Sequence, residues 1–546
     1  MQIFSFSPFG YEGSLVSVEV DLRRGIPAVD VVGLADGAVK ESRERMRSAI
    51  RNSGYEFPPE RVLISLSPAD LRKEGAGFDL AIALAVLHEK NELSQKECAV
   101  TQTEHDDEAN DNQLWRTTLV APTGDDVLVM GELELNGKVR PVRGIHAAVS
   151  TAKSAGIQLC IVPTANSDEA REVPEMKVFG AENLTEAFEA LADGKSFTAK
   201  NQTASTIADK GIPPGTVEVN NTLFGPVESG YEFAEVHSQP FFIRGLQIAA
   251  AGGHNLLAYG PPGCGKTLAL QRFAALLPLL TPEEAQPVTR IYSIAGLLSA
   301  GEPIVRTPPF RMPHQTATIE GMCGGGTHLS PGEISLAHNG VLFLDEAAEF
   351  RMSVLQMLRV PLESGTVTLS RAGRSSVFPA QFQLLMATNP CPCGYYGSTE
   401  KICLCSAHLV EQYWKKFSAP LLDRIDIRIQ VEHTATTQTT CMTTAELRKQ
   451  IATAIHTQRN RQGKRNARLS PSEIAQYCTC ADDAHAILEN ASEHYGFSPR
   501  AVAGCMKLAR TIADMEAKEK IDGKCMEEAV AYRKAQGGLD IGFGMM

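Results

Sequence analysis

Along the first 95 or so residues, apolar and polar positions alternate in SLVSVEVDL and RVLISL, which predicts half-buried strands. Helical spacing follows in VKESRERMRSAIRNSG and again in FDLAIALAVLHEK, so this part of the chain reads as α+β. The stretch ECAVTQTEHDDEANDNQLWRTTLVAPTGDD then breaks every period, and its acidic first half reads as a mobile surface insertion near residues 97–126. Strand and helix patterns resume in VLVMGELELNGKVRPVRGIHAAVSTAKSAGIQLCIVP, where Asn136-Gly137 predicts a hairpin turn. A first domain is therefore expected over 1–194, and residues 195–229, without long periodicity, read as a linker.

Residues 230–435 read as a second unit, of α/β type, with apolar strands in HNLLAY, GVLFLDE and FQLLMATNP. Beyond it, over 436–546, TTAELRKQIATAIHTQRNRQ, PSEIAQYCTCADDAHAILENASEHY, SPRAVAGCMKLARTIADMEAKE and CMEEAVAYRKAQ carry amphipathic helical spacing. The whole is a multidomain α/β and α+β chain, for 546 residues exceed what a single core accommodates.

Composition narrows the function classes. With 43% hydrophobic and 21% charged residues the chain is of ordinary soluble globular type, and no apolar run nears the roughly 20 residues a membrane span requires. The opening MQIFSFSPFG lacks the basic-then-apolar layout of a signal peptide, so the cytoplasm is the expected location and no membrane partner is expected. A net charge of −12 means that any nucleic acid must meet a locally basic surface. Of thirteen cysteines, one sits in a phosphate-loop sequence and four crowd together, which suggests reduced thiols and one candidate metal site rather than a disulfide framework.

The chemistry concentrates in the second unit. Gly260-Pro261-Pro262-Gly263-Cys264-Gly265-Lys266-Thr267 follows an apolar strand and opens a helical pattern, the context a nucleoside triphosphate loop requires. Its glycines let amide N–H groups face phosphate oxygens, Lys266 reaches the β and γ phosphates, and Thr267 ligates Mg²⁺. GVLFLDE delivers Asp345 and Glu346 at a strand tip, Asp345 for the magnesium shell and Glu346 to activate water. FQLLMATNP places Asn389 to orient that water; the plainer alternative is a turn asparagine before proline.

GGHNLLAYGPPGCGKT, FRMPHQTATIEGMCGGGTHLSPGEISLAHNGVLFLDEAAEF, LLMATNPCPCGYYG and PLLDRIDI together closely resemble the YifB/ComM family of magnesium-chelatase-like AAA+ ATPases, over nearly the whole chain. That resemblance implies a central AAA+ domain, a C-terminal helical lid, ATP and Mg²⁺, and a homo-oligomeric ring, expected as a hexamer, with nucleotide at subunit interfaces. It also implies that Arg424 of PLLDRID is an arginine finger offered to the neighbouring subunit and that Arg500 of FSPRAV is the lid arginine called sensor 2. Arginine suits both roles because its planar, permanently charged fork stabilises phosphate oxygens. GELELNGKVRPVRGIHAAVSTAKSAGIQLCIVP and KEGAGFDLAIALAVL resemble the Lon-protease fold. Where that family carries its serine and lysine, this chain reads Gly75-Ala-Gly77-Phe and Gly144-Ile-His146-Ala, so acyl transfer is not expected.

Two further features bear on what the ring grips. In GTVTLSRAGRSSVFPAQ, strand-like runs flank Arg371-Ala-Gly373-Arg374, a hairpin with a basic tip; as a pore hairpin it would contact DNA, and as a plain solvated turn it would not. Cys391, Cys393, Cys403 and Cys405 form C-x-C-x9-C-x-C, which suits a structural Zn²⁺ site or stands as four free thiols. The leading expectation is an ATP-driven DNA motor of ComM type that remodels branched or recombination intermediates. Its rival is a chelatase-like ATPase that remodels a protein partner.

Overall fold

Two sheets organise the chain. The computed structural model describes residues 1–34, 37–69, 71, 73, 76–100, 126–193, 211–236, 240–298, 304–326, 329–371, 374–397, 401–432 and 442–534. The acidic stretch 101–125 and residues 195–210 lie outside the described residues.

The first sheet has seven strands, in the order Val29–Val32, Arg61–Ser67, Ser14–Arg23, Ile3–Ser7, Val127–Val129, Leu159–Pro163 and Lys177–Ala181. Its central strands are antiparallel and its last four run parallel. The alternation in the sequence sets its faces: Val16, Val18, Val62, Ile64 and Leu66 are buried, and Val18 lies opposite Leu66. The helix Asp79–Val100 packs among this sheet and the helices Gly37–Asn52 and Leu184–Asp193, so every side chain from Leu80 to Leu87 is buried. At its start the buried Asp79 carboxylate accepts from Arg45 Nε (2.7 Å) and from the Leu133 amide (3.3 Å), which meets the cost of burying its charge. The Asn136-Gly137 turn forms as the sequence predicts, joining Glu132–Leu133 to Val139–Arg140, with Gly137 at φ +86.

Within the stretch read as a linker, Val217–Val219 and Thr222–Phe224 form a hairpin. Asn220 and Asn221 both take left-handed backbone (φ 46 and 56), the geometry a two-residue turn needs, and Phe224 is buried.

The second sheet is parallel throughout, in the order Phe310–Arg311, Val341–Leu344, Gln383–Thr388, Leu256–Tyr259 and Ile427–Gln430. All residues of its three central strands are buried, as continuous apolar runs covered on both faces require. Leu344 and Leu257 both stand opposite Met386, and Tyr259 opposite Thr388, so these strands end together. One edge of the sheet therefore collects the segments that follow residues 259, 344 and 388. The opposite edge collects what precedes the strands, including Asn255 and the turn 423–426.

Five helices follow: Thr444–Gln462, Pro471–Tyr477, Asp482–Tyr495, Pro499–Met515 and Gly523–Arg533. The stretch from Pro471 to Tyr495 breaks at Cys478–Ala481, because Cys480 bridges to Ile521 and the Ala481 amide donates to Ile521 O (2.8 Å). Leu447, Ile451, Leu508 and Ile512 share one core with Leu256, Ala258, Ile427 and Ile429, so the helices are anchored directly to the second sheet. Among the described residues no helix is long and apolar enough to cross a membrane.

Candidate active site

The phosphate-loop sequence leaves the strand Leu256–Tyr259 through Gly260, where a Cβ would come within 2.0 Å of Val431 O. Only glycine lets the neighbouring chain pass so closely. Gly265, at φ +85, turns the chain into the helix Lys266–Gln271, which tightens into a 3₁₀ segment over Arg272–Leu276. Lys266 is buried, and its ammonium donates to Gly260 O (2.8 Å) and Pro261 O (2.7 Å). Burial pushes its pKa down, while Asp345 and Cys264 act in the opposite sense. Pro262 and Gly263 are exposed at the loop's crest.

The parallel register brings the other expected residues to this loop. Thr267 Oγ1 donates to Asp345 Oδ1 at 3.0 Å, and the Glu346 amide donates to the same oxygen at 3.0 Å. Glu346 itself takes left-handed backbone (φ 49, ψ 47), an uncommon conformation for a residue with a side chain. A cavity of about 320 Å³ beside it is lined by Gln315, Glu346, Glu349, Asn389 and Tyr413. Asn389 thus shares a cavity with Glu346, just past the end of the strand next to that of the phosphate loop. A hydroxyl and a carboxylate within hydrogen-bonding distance are the hard oxygen ligands that Mg²⁺ takes, so Thr267 and Asp345 fit that ion.

Gln315 was not legible in the sequence as a site residue. Its buried Oε1 has no hydrogen-bond partner, and it reaches the cavity because its segment follows the edge strand Phe310–Arg311. Tyr413 enters from the helix Ala407–Lys415, where its hydroxyl lies 3.0 Å from Thr388 Oγ1.

Arg424 and Arg500 are not part of this cluster. Asn255 Nδ2 donates to Arg424 O at 2.9 Å, which fixes Arg424 at the opposite edge of the sheet. The intervening strand of four residues spans roughly 13 Å. There both arginines engage one carboxylate: Arg424 bonds Glu363 Oε2, and Arg500 Nη2 donates to Glu363 Oε1 at 2.8 Å. The two guanidinium groups hold the Glu363 carboxyl below the usual carboxylate range. Nothing in the spacing of the sequence marked Glu363, which lies 61 residues before Arg424.

The basic hairpin pairs Thr366–Arg371 with Arg374–Pro379, with Arg371 opposite Arg374; residues 372 and 373 lie outside the described residues. Arg371 is exposed, whereas Phe378 is buried and carries the edge of the Tyr11 ring (6.0 Å), and the Tyr11 amide donates to Ser376 Oγ (2.9 Å). The N-terminal segment thereby braces the hairpin. The thiols of Cys391, Cys393, Cys403 and Cys405 all lie within 4.8 Å of one another.

Comparison with known proteins gives this geometry a lineage. Residues 232–439 match the family model described as magnesium chelatase, subunit ChlI. Residues 18–106 and 114–166 match subunit ChlI of Mg-chelatase, and 441–533 match the ChlI C-terminal model. The uncharacterized protein YifB of Salmonella typhimurium is 36% identical over 533 residues, covering 96% of this chain and 95% of its own. YifB of Escherichia coli is also 36% identical, over 96% of this chain and 95% of its own. The competence protein ComM of Haemophilus influenzae is 35% identical over 97% of each chain. The chain belongs to the YifB/ComM family. These YifB/ComM proteins are magnesium-chelatase-like AAA+ ATPases, a family type that uses ATP and Mg²⁺ and whose members usually oligomerise.

Proposed function

We propose that the chain is an ATP-hydrolysing ring motor, expected as a hexamer, that acts on DNA as a branch-migration or helicase factor in recombination or natural transformation. The observation that carries the reading is one end of the parallel sheet's strands, where Lys266 and Thr267 meet Asp345 and the adjoining Glu346 shares a cavity with Asn389. In this reading Lys266 leaves the carbonyls of Gly260 and Pro261 to meet the β and γ phosphate oxygens, its amine charged for the task. Gly260, Pro261, Pro262, Gly263, Cys264 and Gly265 shape the loop whose amides face the phosphates. Thr267 and Asp345 hold Mg²⁺, which supplies charge neutralisation at the phosphates when bound. Glu346 accepts the proton of the attacking water, and Asn389 orients that water. Arg424, with Arg500 beside it, serves the site of the adjacent subunit, because its own chain's loop lies across the sheet.

The exposed Arg371 and its cross-strand partner position Arg374 are the candidate DNA contacts, repeated around the ring to track phosphates despite the acidic whole. Kinship with a competence protein supports DNA as the substrate. Residues 1–194 are read as a Lon-protease-like domain that supports assembly or loading without proteolysis, 230–435 as the AAA+ domain and 436–546 as the lid. The position near which the Lon-type lysine would fall carries His146, whose ring bonds Gln286 across the chain at 2.7 Å. That bond supports a docking role for the segment.

ATP hydrolysis by the purified chain, with and without single-stranded and branched DNA at low and moderate salt, tests the proposal. Stimulation by DNA is expected in the wild type and not in Glu346→Gln. Replacing Arg371 and Arg374 together by alanine is expected to weaken DNA binding and flatten its salt dependence. Hydrolysis indifferent to DNA would instead indicate a protein client.

A further inference from the structure

The four cysteines after the Asn389 strand have no part in ATP hydrolysis as proposed, yet they are built into its scaffold. Cys391 and Cys393 follow Asn389 after Pro390, and Cys403 and Cys405 stand just before Ser406, which caps the helix Ala407–Lys415. Two C-x-C pairs separated by nine residues in the sequence are thus brought together. The Sγ separations are 3.3 Å between Cys391 and Cys393, 3.7 Å between Cys391 and Cys403, and 3.5 Å between Cys393 and Cys403. A disulfide holds its sulfurs about 2.05 Å apart. A tetrahedron of thiolates about 2.3 Å from a central Zn²⁺ has sulfur–sulfur edges of about 3.8 Å. The observed spacings lie close to the second geometry and far from the first. The Tyr396 amide also points at Cys391 Sγ (3.3 Å), as amides do toward metal-bound thiolates.

What this cluster holds in place is the nucleotide loop. A Cβ on Gly394, the residue after Cys393, would come within 2.8 Å of Pro262 Cδ, so the cysteine loop lies directly on the crest of the phosphate loop. At the other end, Trp414 Nε1 donates to Pro390 O (3.0 Å), its ring meets Tyr259 edge-on (5.7 Å), and Tyr413 OH lies 3.0 Å from Thr388 Oγ1. The peptide carrying Asn389 is therefore pinned from the helix side by Tyr413 and Trp414 and from the loop side by the four thiols.

We propose that Cys391, Cys393, Cys403 and Cys405 bind one structural Zn²⁺ per chain, and that this zinc clamps the Asn389 loop against the phosphate loop, keeping the ATP site assembled. Binding takes four thiols to thiolates and releases their protons, with no change of oxidation state. The clamping role rests on the ATPase reading above, whereas the metal site rests on the sulfur geometry alone.

The test is metal analysis of the full chain purified without chelator, read beside ATP turnover. About one zinc per chain is expected, with Cys403→Ser plus Cys405→Ser removing it. Loss of zinc is expected to lower turnover by roughly 100-fold, the scale of a misplaced catalytic group. Because a cysteine variant can fail through misfolding, the wild-type chain is also stripped with a mercurial reagent, freed of that reagent with thiol, and reloaded with Zn²⁺ or Co²⁺. Recovery of turnover on reloading, with thiolate-to-cobalt charge-transfer absorption in the Co²⁺ form, supports the proposal. A chain that hydrolyses ATP while carrying no zinc, or zinc retained in the double serine variant, overturns the site and leaves the ATPase reading standing. Zinc at one per chain in a wild type that never hydrolyses ATP overturns the clamping role together with the ATPase reading, and the metal count tells the two failures apart.

Discussion

Glu346 sits in left-handed backbone immediately after a buried strand, a conformation that costs on the order of 1 kcal/mol for a residue with a Cβ. Its compensation is visible in its own amide, which donates to Asp345 Oδ1, the oxygen that also receives the Thr267 hydroxyl. The turn therefore ties the two carboxylates into different jobs: Asp345 is anchored on the loop side, while the exposed Glu346 faces the cavity shared with Asn389 and Gln315. An amide at position 346 keeps this backbone and removes only the carboxylate proposed as the base. Glu346→Gln is expected to bind ATP as the wild type does and to hydrolyse it about 10²–10⁴-fold more slowly, the usual contribution of a positioned general base. Equilibrium binding of a fluorescent ATP analogue beside steady-state turnover separates the two; weakened binding in the variant would assign Glu346 to holding nucleotide instead. Gln315 makes a second residue-scale case. Its unpartnered buried oxygen gives Gln315→Ala little folding cost from a lost bond, so an effect on turnover without an effect on thermal stability is expected, measured by melting and hydrolysis on one preparation.

At the scale of elements, the helix Ile145–Ser154 docks on the helix Pro282–Ala295 of the second unit through His146. His146 is buried; its Nε2–H donates to Gln286 Oε1, its Nδ1 has no partner, and Arg290 lies near enough to disfavour a further positive charge. Around it Glu169 accepts from the His146 amide (2.9 Å) and from Ser293 Oγ (2.5 Å), so that carboxylate is already committed. Burial holds the His146 pKa at about 4, against 6.5 for a free imidazole. The sign follows: between those values the unfolded chain takes up a proton that the folded chain refuses, so stability present above about pH 6.5 drains away as pH falls toward 4, by up to roughly 3 kcal/mol. Melting curves across that range are expected to fall more steeply for the wild type than for His146→Leu; parallel curves would remove His146 from the pH dependence. Elements of this kind were partly legible beforehand. The phosphate loop, the Asp345-Glu346 tip and the Asn136-Gly137 turn announce themselves because each rests on a few adjacent residues whose local geometry is obligatory. The Asn220-Asn221 hairpin was missed because asparagine only tolerates left-handed backbone, and its neighbours carry no long alternation. Glu363, Gln315 and the His146–Gln286 bond were invisible because each depends on chain segments tens to more than a hundred residues apart, brought together only by the parallel sheet and by docking of its neighbour.

For the whole molecule, the proposed arginine-finger role of Arg424 poses a geometric problem that a second copy would solve. Strand ends at one edge place Lys266, Thr267, Asp345 and Glu346 together, and the opposite edge carries Arg424 and Arg500 on the shared Glu363. No rotamer of an arginine bridges the roughly 13 Å strand and the loops at both its ends to serve its own chain's phosphates. In the proposed ring, a heterologous, head-to-tail contact repeated around the closure would bring each far edge to the next subunit's loop. On that proposal Glu363 would hold the arginines of a subunit without a neighbour, and phosphate oxygens would compete for the same guanidinium forks once a neighbour docked. The arrangement predicts complementation between two dead proteins. Lys266→Ala chains cannot use their own loop yet still offer Arg424, whereas Arg424→Ala chains keep the loop and offer no finger. Each alone is expected to lose at least about 10³-fold in turnover, the scale of a missing arginine finger. Mixed before assembly, they form interfaces in which an intact loop meets an intact Arg424, and turnover is expected to return to a substantial fraction of the wild-type value. The titration is informative as well, for the recovered rate should peak near equal proportions, where such interfaces are most numerous. A mixture as inactive as its components, in rings shown by light scattering to contain both, would mean that Arg424 works within its own subunit after a rearrangement of the sheet edges.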